Sequence, residues 1–275
     1  MAFAILFEGT LIIFAVFCWV CTVLKIGAKF PSDSVSGLKM SNKGLLAIIT
    51  IAAFGMIVLP SLCGLMLKSL LKDFTKIDVS ICAILLSQLL FLPIIARIFF
   101  KCSSNKIGNN VVARTFFSKL FVGLYQFLLA LPIVYLLAFI WMLLLLVLQS
   151  LGLKISLEQQ AILELFSVQS LALKCLLILS VVVIAPITEE VLFRHVLYRF
   201  FKFKSTQSVA IFFSSLIFAM LHFNFVAFVP IFALGIFLAL SYERSGSLVA
   251  PIFTHMLFNL NTIIVLLSCG DSFGI

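Results

Sequence analysis

Charge is what this chain has least of. Of its 275 residues only 11% are Asp, Glu, Lys or Arg, ten of them acidic, while 64% are hydrophobic. Mean hydropathy is +1.30, far above a soluble domain, in which about half of the residues are apolar. A water-soluble fold is thereby excluded, because such a chain has too little polar surface to cover its apolar bulk. Histidine is scarcer still, with three residues, all after position 190. Seven cysteines, an odd number placed mostly inside apolar runs, form no disulfide framework. Cys18 and Cys21 make a C-x-x-C without a second pair or a redox context, and read as small apolar fillers. Gly and Pro number 13 and 7, too few for a low-complexity or disordered chain. Neither G-x-S-x-G nor H-E-x-x-H occurs, so the serine elbow and the helical zinc-protease signature are both missing.

What is present is hydrophobic length. A spanning helix needs roughly 20 apolar residues, and such stretches lie at about 3–24, 45–67, 79–96, 120–148, 170–187, 208–224, 226–241 and 247–268. None alternates apolar and polar residues as a barrel strand would. The expected fold is all-α, a polytopic transmembrane bundle of about eight helices. The fourth run is long enough to tilt or to bend at Pro132, and the sixth and seventh are joined by only a few residues around Phe225. The first run has no basic start, carries Glu8 and shows no small-residue cleavage site, so it reads as a retained span. Residues 1–155 read as an N-terminal membrane scaffold of about four spans, and 156–275 as a core of about four more. Glu158 to Glu164 reads as a polar loop leading into a short amphipathic stretch.

The net charge of +9 would point to nucleic acid in a soluble protein. Here the Lys and Arg residues sit between apolar runs and orient the chain, so no nucleic-acid partner is expected and membrane lipids are. With the N-terminus outside and the spans alternating, thirteen Lys and Arg residues fall inside against five outside, Arg194 set apart. That bias predicts a multi-pass protein of the cell membrane with both termini extracytoplasmic.

The scarce polar residues are concentrated late in the chain. Glu189 and Glu190, two of only six glutamates, follow the apolar run Leu176 to Ile187 after Thr188, where ionised carboxylates are costly and mark function by default. Pro186 suits either the first turn of a helix or a kink in a continuing one. Glu190 and Arg194, four apart, share a helical face as an ion-paired structural brace, leaving Glu189 as the chemically available carboxylate. His222 lies near the end of the next apolar run. On the last run His255 and Asn259 are four apart and face one way, which implies a shared cavity or partner. His195 is expected at an interface or behind the site, Asn224 in a turn, and Glu8 near the headgroups or bound to another helix.

At about 1.5 Å per residue, Glu189 lies roughly 18 Å from a helix end near Phe201, His222 roughly 21 Å from one near Ser208, and His255 roughly 12 Å from one near Ser247. With tilt those depths are compatible, so the three are expected to meet within the membrane.

In that order on separate apolar helices, Glu189-Glu190-x-x-x-Arg194, Phe218-x-x-x-His222 and His255-x-x-x-Asn259 resemble the CAAX-protease and bacteriocin-processing (CPBP, or Abi) family over roughly residues 170–268. The family comprises intramembrane endopeptidases, among them the eukaryotic enzyme that removes the last three residues of prenylated CAAX proteins, and bacterial relatives tied to peptide processing or bacteriocin immunity. The resemblance implies that Glu189 and His222 activate water, and that His255 with Asn259 stabilises the oxyanion. His195 departs from the Gly that many relatives carry after the arginine.

The residues agree with that chemistry. Amide hydrolysis needs a base for water, and a carboxylate in an apolar cavity accepts a proton nearer neutral pH than one in water. The tetrahedral oxyanion needs donors, which an imidazole and a carboxamide on one face supply in a low-dielectric site. The expected substrate is a membrane-embedded or lipidated peptide or protein, hydrolysed without a cofactor. Glu189, His222 and His255 are also the ligand types of a catalytic zinc site, which makes a zinc-dependent protease the alternative. A non-catalytic immunity or interaction protein and a transporter subunit with a proton relay are further readings.

Overall fold

The computed structural model describes residues 2–24, 35–71, 74–103, 115–154 and 170–273. Among them are eight continuous helices and no strand: α1 (Ala2–Leu24), α2 (Asn42–Leu70), α3 (Lys76–Ser103), α4 (Phe116–Ser150), α5 (Leu171–Lys204), α6 (Gln207–Met220), α7 (Phe228–Ser245) and α8 (Val249–Phe273). Each expected apolar run lies largely within one helix. The stretch Glu158 to Glu164 lies outside the described residues.

Helix starts follow from the sequence. Ser41, Thr115, Ser170 and Thr206 each cap a helix by accepting a backbone N–H three residues on, which satisfies one of the unpaired donors at a helix start. Gly246 ends α7 in the left-handed conformation at φ 64°, which costs glycine little.

Among the described residues six helices, α2 to α5, α7 and α8, are long and apolar enough to cross a membrane, and the protein is a multi-pass membrane protein. Phe117, Phe121, Leu65 and Phe139 are among many large apolar residues left more than half exposed, as helices facing lipid require. The expected sixth span falls short. Helix α6 has 14 residues, about 21 Å at the helical rise, against a hydrocarbon core of about 30 Å. It stops at Met220, and the turn that follows carries His222.

Helix α4 is the central post, packing against α1, α7 and α8. Gly123 permits one of these approaches, since a Cβ there would meet the Ala250 carbonyl oxygen of α8 at 2.7 Å. Thr254 of α8 then donates to the Gly123 carbonyl at 2.9 Å. Glu8 is bound to another helix, accepting from Tyr135 of α4 at 3.2 Å, while Asn261 of α8 donates to the same Tyr135 hydroxyl.

Helix α5 is the element that shapes the site. Pro186 neither begins nor breaks it. The helix continues from Leu171 to Lys204 with π-helical turns at Ser180–Ile184 and Val191–Tyr198, on either side of the short α-helical piece Ala185–Glu190. Such turns within α-helices are frequent at functional positions, though α2 also carries one, at Phe54–Val58.

Candidate active site

Three elements bring the polar residues together: the middle of α5, the turn after α6 and the first half of α8. Glu190 and Arg194 form the expected pair. Arg194 Nη1 donates to Glu190 Oε1 at 3.0 Å, with side chains 1% and 0% exposed. The guanidinium also donates through Nη2 to the Gly235 carbonyl of α7 at 3.1 Å and lies 4.4 Å from the Phe218 ring centre. Such pairing offsets much of the cost of burying the charge, and the cation over the ring face adds to it, although Arg194 Nε and Glu190 Oε2 are left without a partner among the described residues. Gly235 lets α7 lie close to α6, because a Cβ there would come within 2.9 Å of Ser215.

Glu190 has a second role. The same Oε1 lies 3.0 Å from His255 Nδ1, and since a carboxylate only accepts, Nδ1 carries the hydrogen. That bond turns Nε2 of His255 towards Glu189, 3.8 Å from its Oε2. His222 is oriented in the same manner. Its Nδ1 lies 2.7 Å from the Phe218 carbonyl oxygen and therefore donates, which leaves Nε2 facing Glu189 Oε2 at 3.9 Å. Two imidazoles thus present Nε2 to one carboxylate oxygen. Among the described residues that oxygen is buried and has no hydrogen-bond partner.

The turn holding His222 is unusual. Leu221 to Ala227 joins α6 to α7, and Phe223 sits at φ 49°, a conformation that bulky side chains rarely adopt. Asn224 is the turn residue expected, its Oδ1 accepting from the Ala227 N–H at 3.0 Å. Trp141 of α4 anchors the turn by donating to the Phe225 carbonyl at 3.1 Å. Met220, Phe223 and Phe225 are exposed beside it, so the rim next to His222 is apolar.

Asn259 faces α5, as does His255. Its Nδ2 donates to the Val181 carbonyl at 2.8 Å. In the π-helical turn the Ala185 N–H bonds to Ser180 O, five residues back. The next such donor, for Val181, would be Pro186, which has no N–H. Asn259 takes its place, and one carboxamide hydrogen remains.

His195 lies elsewhere. It is buried rather than interfacial, 2% exposed, with Nε2 3.1 Å from Ser103 Oγ of α3 and Nδ1 3.3 Å from the Tyr242 hydroxyl of α7. It ties three helices together beyond the brace. The carbonyls that set His222 and Asn259, those of Phe218 and Val181, have no side-chain signature in the sequence, where Phe218 stands only as a motif residue.

Glu189, His222 and His255 are the residues that would hold a metal. Among the described residues no group of three or more His, Cys, Asp or Glu side chains is placed to do so. The separations of 3.8 and 3.9 Å exceed the roughly 3.3 Å between ligands that share a tetrahedral zinc at about 2.0–2.1 Å. They do suit water. Glu189 is beyond hydrogen-bond range of either imidazole, yet an oxygen at about 2.8 Å from both ends would bridge either gap.

Residues 171–261 match a family model described as type II CAAX prenyl endopeptidase Rce1-like. Neither the comparison with curated proteins nor that with solved structures found a match.

Proposed function

We propose that the chain, whose residues 171–261 match the Rce1-like, type II CAAX prenyl endopeptidase model and hold all six site residues, is an intramembrane endopeptidase. It hydrolyses a peptide bond of a membrane-embedded or lipidated substrate. The observation that carries this reading is the unbonded, buried Oε2 of Glu189, faced by Nε2 of both His222 and His255.

A water in that gap donates to Glu189 and is oriented by His222, whose Nε2 is left as an acceptor. Glu189 removes a proton as the water oxygen attacks the scissile carbonyl, and the carbonyl π pair moves onto its oxygen. His255 and Asn259 receive that oxyanion. Donation from His255 Nε2 while Nδ1 donates to Glu190 requires both ring nitrogens to carry hydrogen, and Asn259 donates the carboxamide hydrogen that Val181 does not use. Both donors are fixed before reaction, which is what makes such a site effective in a low dielectric. Collapse of the intermediate breaks the C–N bond, and Glu189 returns its proton to the leaving amine.

Glu190 and Arg194 position: they hold the His255 ring and the spacing of α5 against α7. No metal enters this sequence of steps. The charge bias of the connecting segments supports a cell-membrane location with both termini extracytoplasmic, and the apolar rim of Met220, Phe223 and Phe225 supports substrate entry from the lipid side. The test is cleavage by detergent-solubilised protein of farnesylated CAAX peptides and of unmodified transmembrane peptides, followed by mass spectrometry of the products. Wild type should release a C-terminal fragment and Glu189→Ala none. Intact peptides with the wild-type protein, or cleavage that persists in the alanine variant, would overturn the proposal.

A further inference from the structure

A second chamber lies on the other face of α5. Its volume is about 810 Å³, within the range of ligand pockets. Ile187, Val191 and His195 line it from α5, at spacings of four. Glu189 follows Ile187 by two residues, roughly 200° around a helix, so the catalytic carboxylate and the chamber look in opposite directions. Ile95, Phe99 and Ser103 line it from α3, again four apart, and Ile252 closes it from α8.

The chamber is polar at one end only. Ser103 is the last residue of α3, Lys119 lies in the first turn of α4, and Ser247 belongs to the turn between α7 and α8. These helix ends lie on one side of the bundle, the side on which α5 ends in Lys202 and Lys204. The deeper wall is Ile95, Ile187, Val191 and Ile252. Eight residues separate Ile95 from Ser103, about 12 Å of helix. Ala96 and Phe100 also line the chamber yet are exposed on the outer surface of α3, so its wall opens sideways to lipid. Its lining includes no carboxylate, and among the described residues none forms a salt bridge with the half-buried Lys119.

An apolar slot parallel to the helices, open to the side and ending in a cation at the basic face, has the polarity of one membrane lipid. We propose that it binds an anionic phospholipid, with an acyl chain between α3 and α5 and the phosphate at Lys119 and the Ser103 and Ser247 hydroxyls. Basic pockets between spanning helices on the cytoplasmic side select such headgroups. This inference does not rest on the proposed protease activity.

The test uses the full chain in phosphatidylcholine vesicles doped with a phosphatidylglycerol that carries a photoactivatable diazirine in one acyl chain, with crosslinked peptides mapped by mass spectrometry. Labels should fall on Ile95 to Phe100 and on Ile187 to Val191, and an equivalent phosphatidylcholine probe should label these peptides weakly. Lys119→Gln should lower phosphatidylglycerol labelling about fivefold, the worth of one basic residue at a membrane surface, and leave phosphatidylcholine labelling unchanged. Ala96→Phe, whose ring would fill the slot from its open side, should abolish labelling. Melting temperature and elution volume check that both variants fold; if Ala96→Phe does not, the comparison of lipids and Lys119→Gln still decides. Equal labelling by the two lipids, labels confined to other helices, or labelling that survives Ala96→Phe would overturn the proposal. So would competition by soluble glycerol phosphate, which would mark a headgroup site alone, or displacement by a farnesylated peptide, which would make the chamber a substrate site.

Discussion

Asn259 Nδ2 donates to the carbonyl of Val181 across the α8–α5 interface at 2.8 Å. The bond exists because Pro186 cannot supply the N–H that the π-helical turn calls for. Asn259 therefore holds the π-helical turn of α5 at Val181, eight residues before Glu189, as well as offering a hydrogen towards the reacting atoms. Asn259→Ala should lower stability by about 1–3 kcal/mol, the cost of a buried acceptor left unpaired, together with activity. Asn259→Asp should cost more, since it sets acceptor against acceptor. Thermal melting in detergent beside peptide turnover measures both, and unchanged melting in both variants would remove the structural role.

Glu189→Gln should leave melting within about 0.5 kcal/mol of wild type, as expected of a side chain that is no structural partner. Turnover should fall by about 10²–10⁴-fold, the usual worth of a general base. Comparable losses of turnover and folded protein would mean that Glu189 is a packing residue.

Glu190 and Arg194 should behave in the opposite way. Removing one member strands a buried charge, so Glu190→Ala and Arg194→Ala should each cost about 3–5 kcal/mol. The double variant should cost less than the sum. Glu190→Gln keeps an acceptor for His255 and should recover part of the folded yield. Wild-type melting in Glu190→Ala would undo the brace.

Phe223 offers a test with gain rather than loss. At φ 49° with its ring exposed, it occupies a conformation that costs a non-glycine residue roughly 1–2 kcal/mol. Phe223→Gly should raise or preserve melting and retain peptide cleavage, whereas Phe223→Val, β-branched in the same conformation, should lower both. Loss of cleavage in a stable glycine variant would show that the ring itself contacts substrate at the rim.

Chelation separates the two chemistries considered for Glu189, His222 and His255. Turnover should survive prolonged dialysis against EDTA and 1,10-phenanthroline, with less than stoichiometric zinc by elemental analysis of the purified protein. Activity lost on dialysis and restored by zinc alone would overturn the metal-free mechanism.

Much of this was legible in the sequence because it depends on local spacing. Apolar length marks the helices, Ser and Thr mark their starts, and a separation of four places Glu190 beside Arg194 and His255 beside Asn259 on common faces. The scarcity of polar residues singled out Glu189, His222 and His255 before any contact was known.

What only the tertiary structure decided are relations between segments far apart in the chain or carried by the backbone. Sequence spacing assigned Glu190 to Arg194, but its bond to His255 spans 65 residues and required α8 to lie against α5. The Phe218 carbonyl that fixes His222, and the Val181 carbonyl that occupies Asn259, have no code in the sequence, since every residue carries the same group. The sixth apolar run read as a span to about residue 224; α6 instead ends at Met220, and the turn after it faces His222 towards Glu189. Sequence left His195 either at an interface or behind the site, and packing against Ser103 and Tyr242 decided for the buried position. The chain by itself therefore determined which side chains carry the chemistry, and the packing of α5, α6 and α8 determined the directions in which they point.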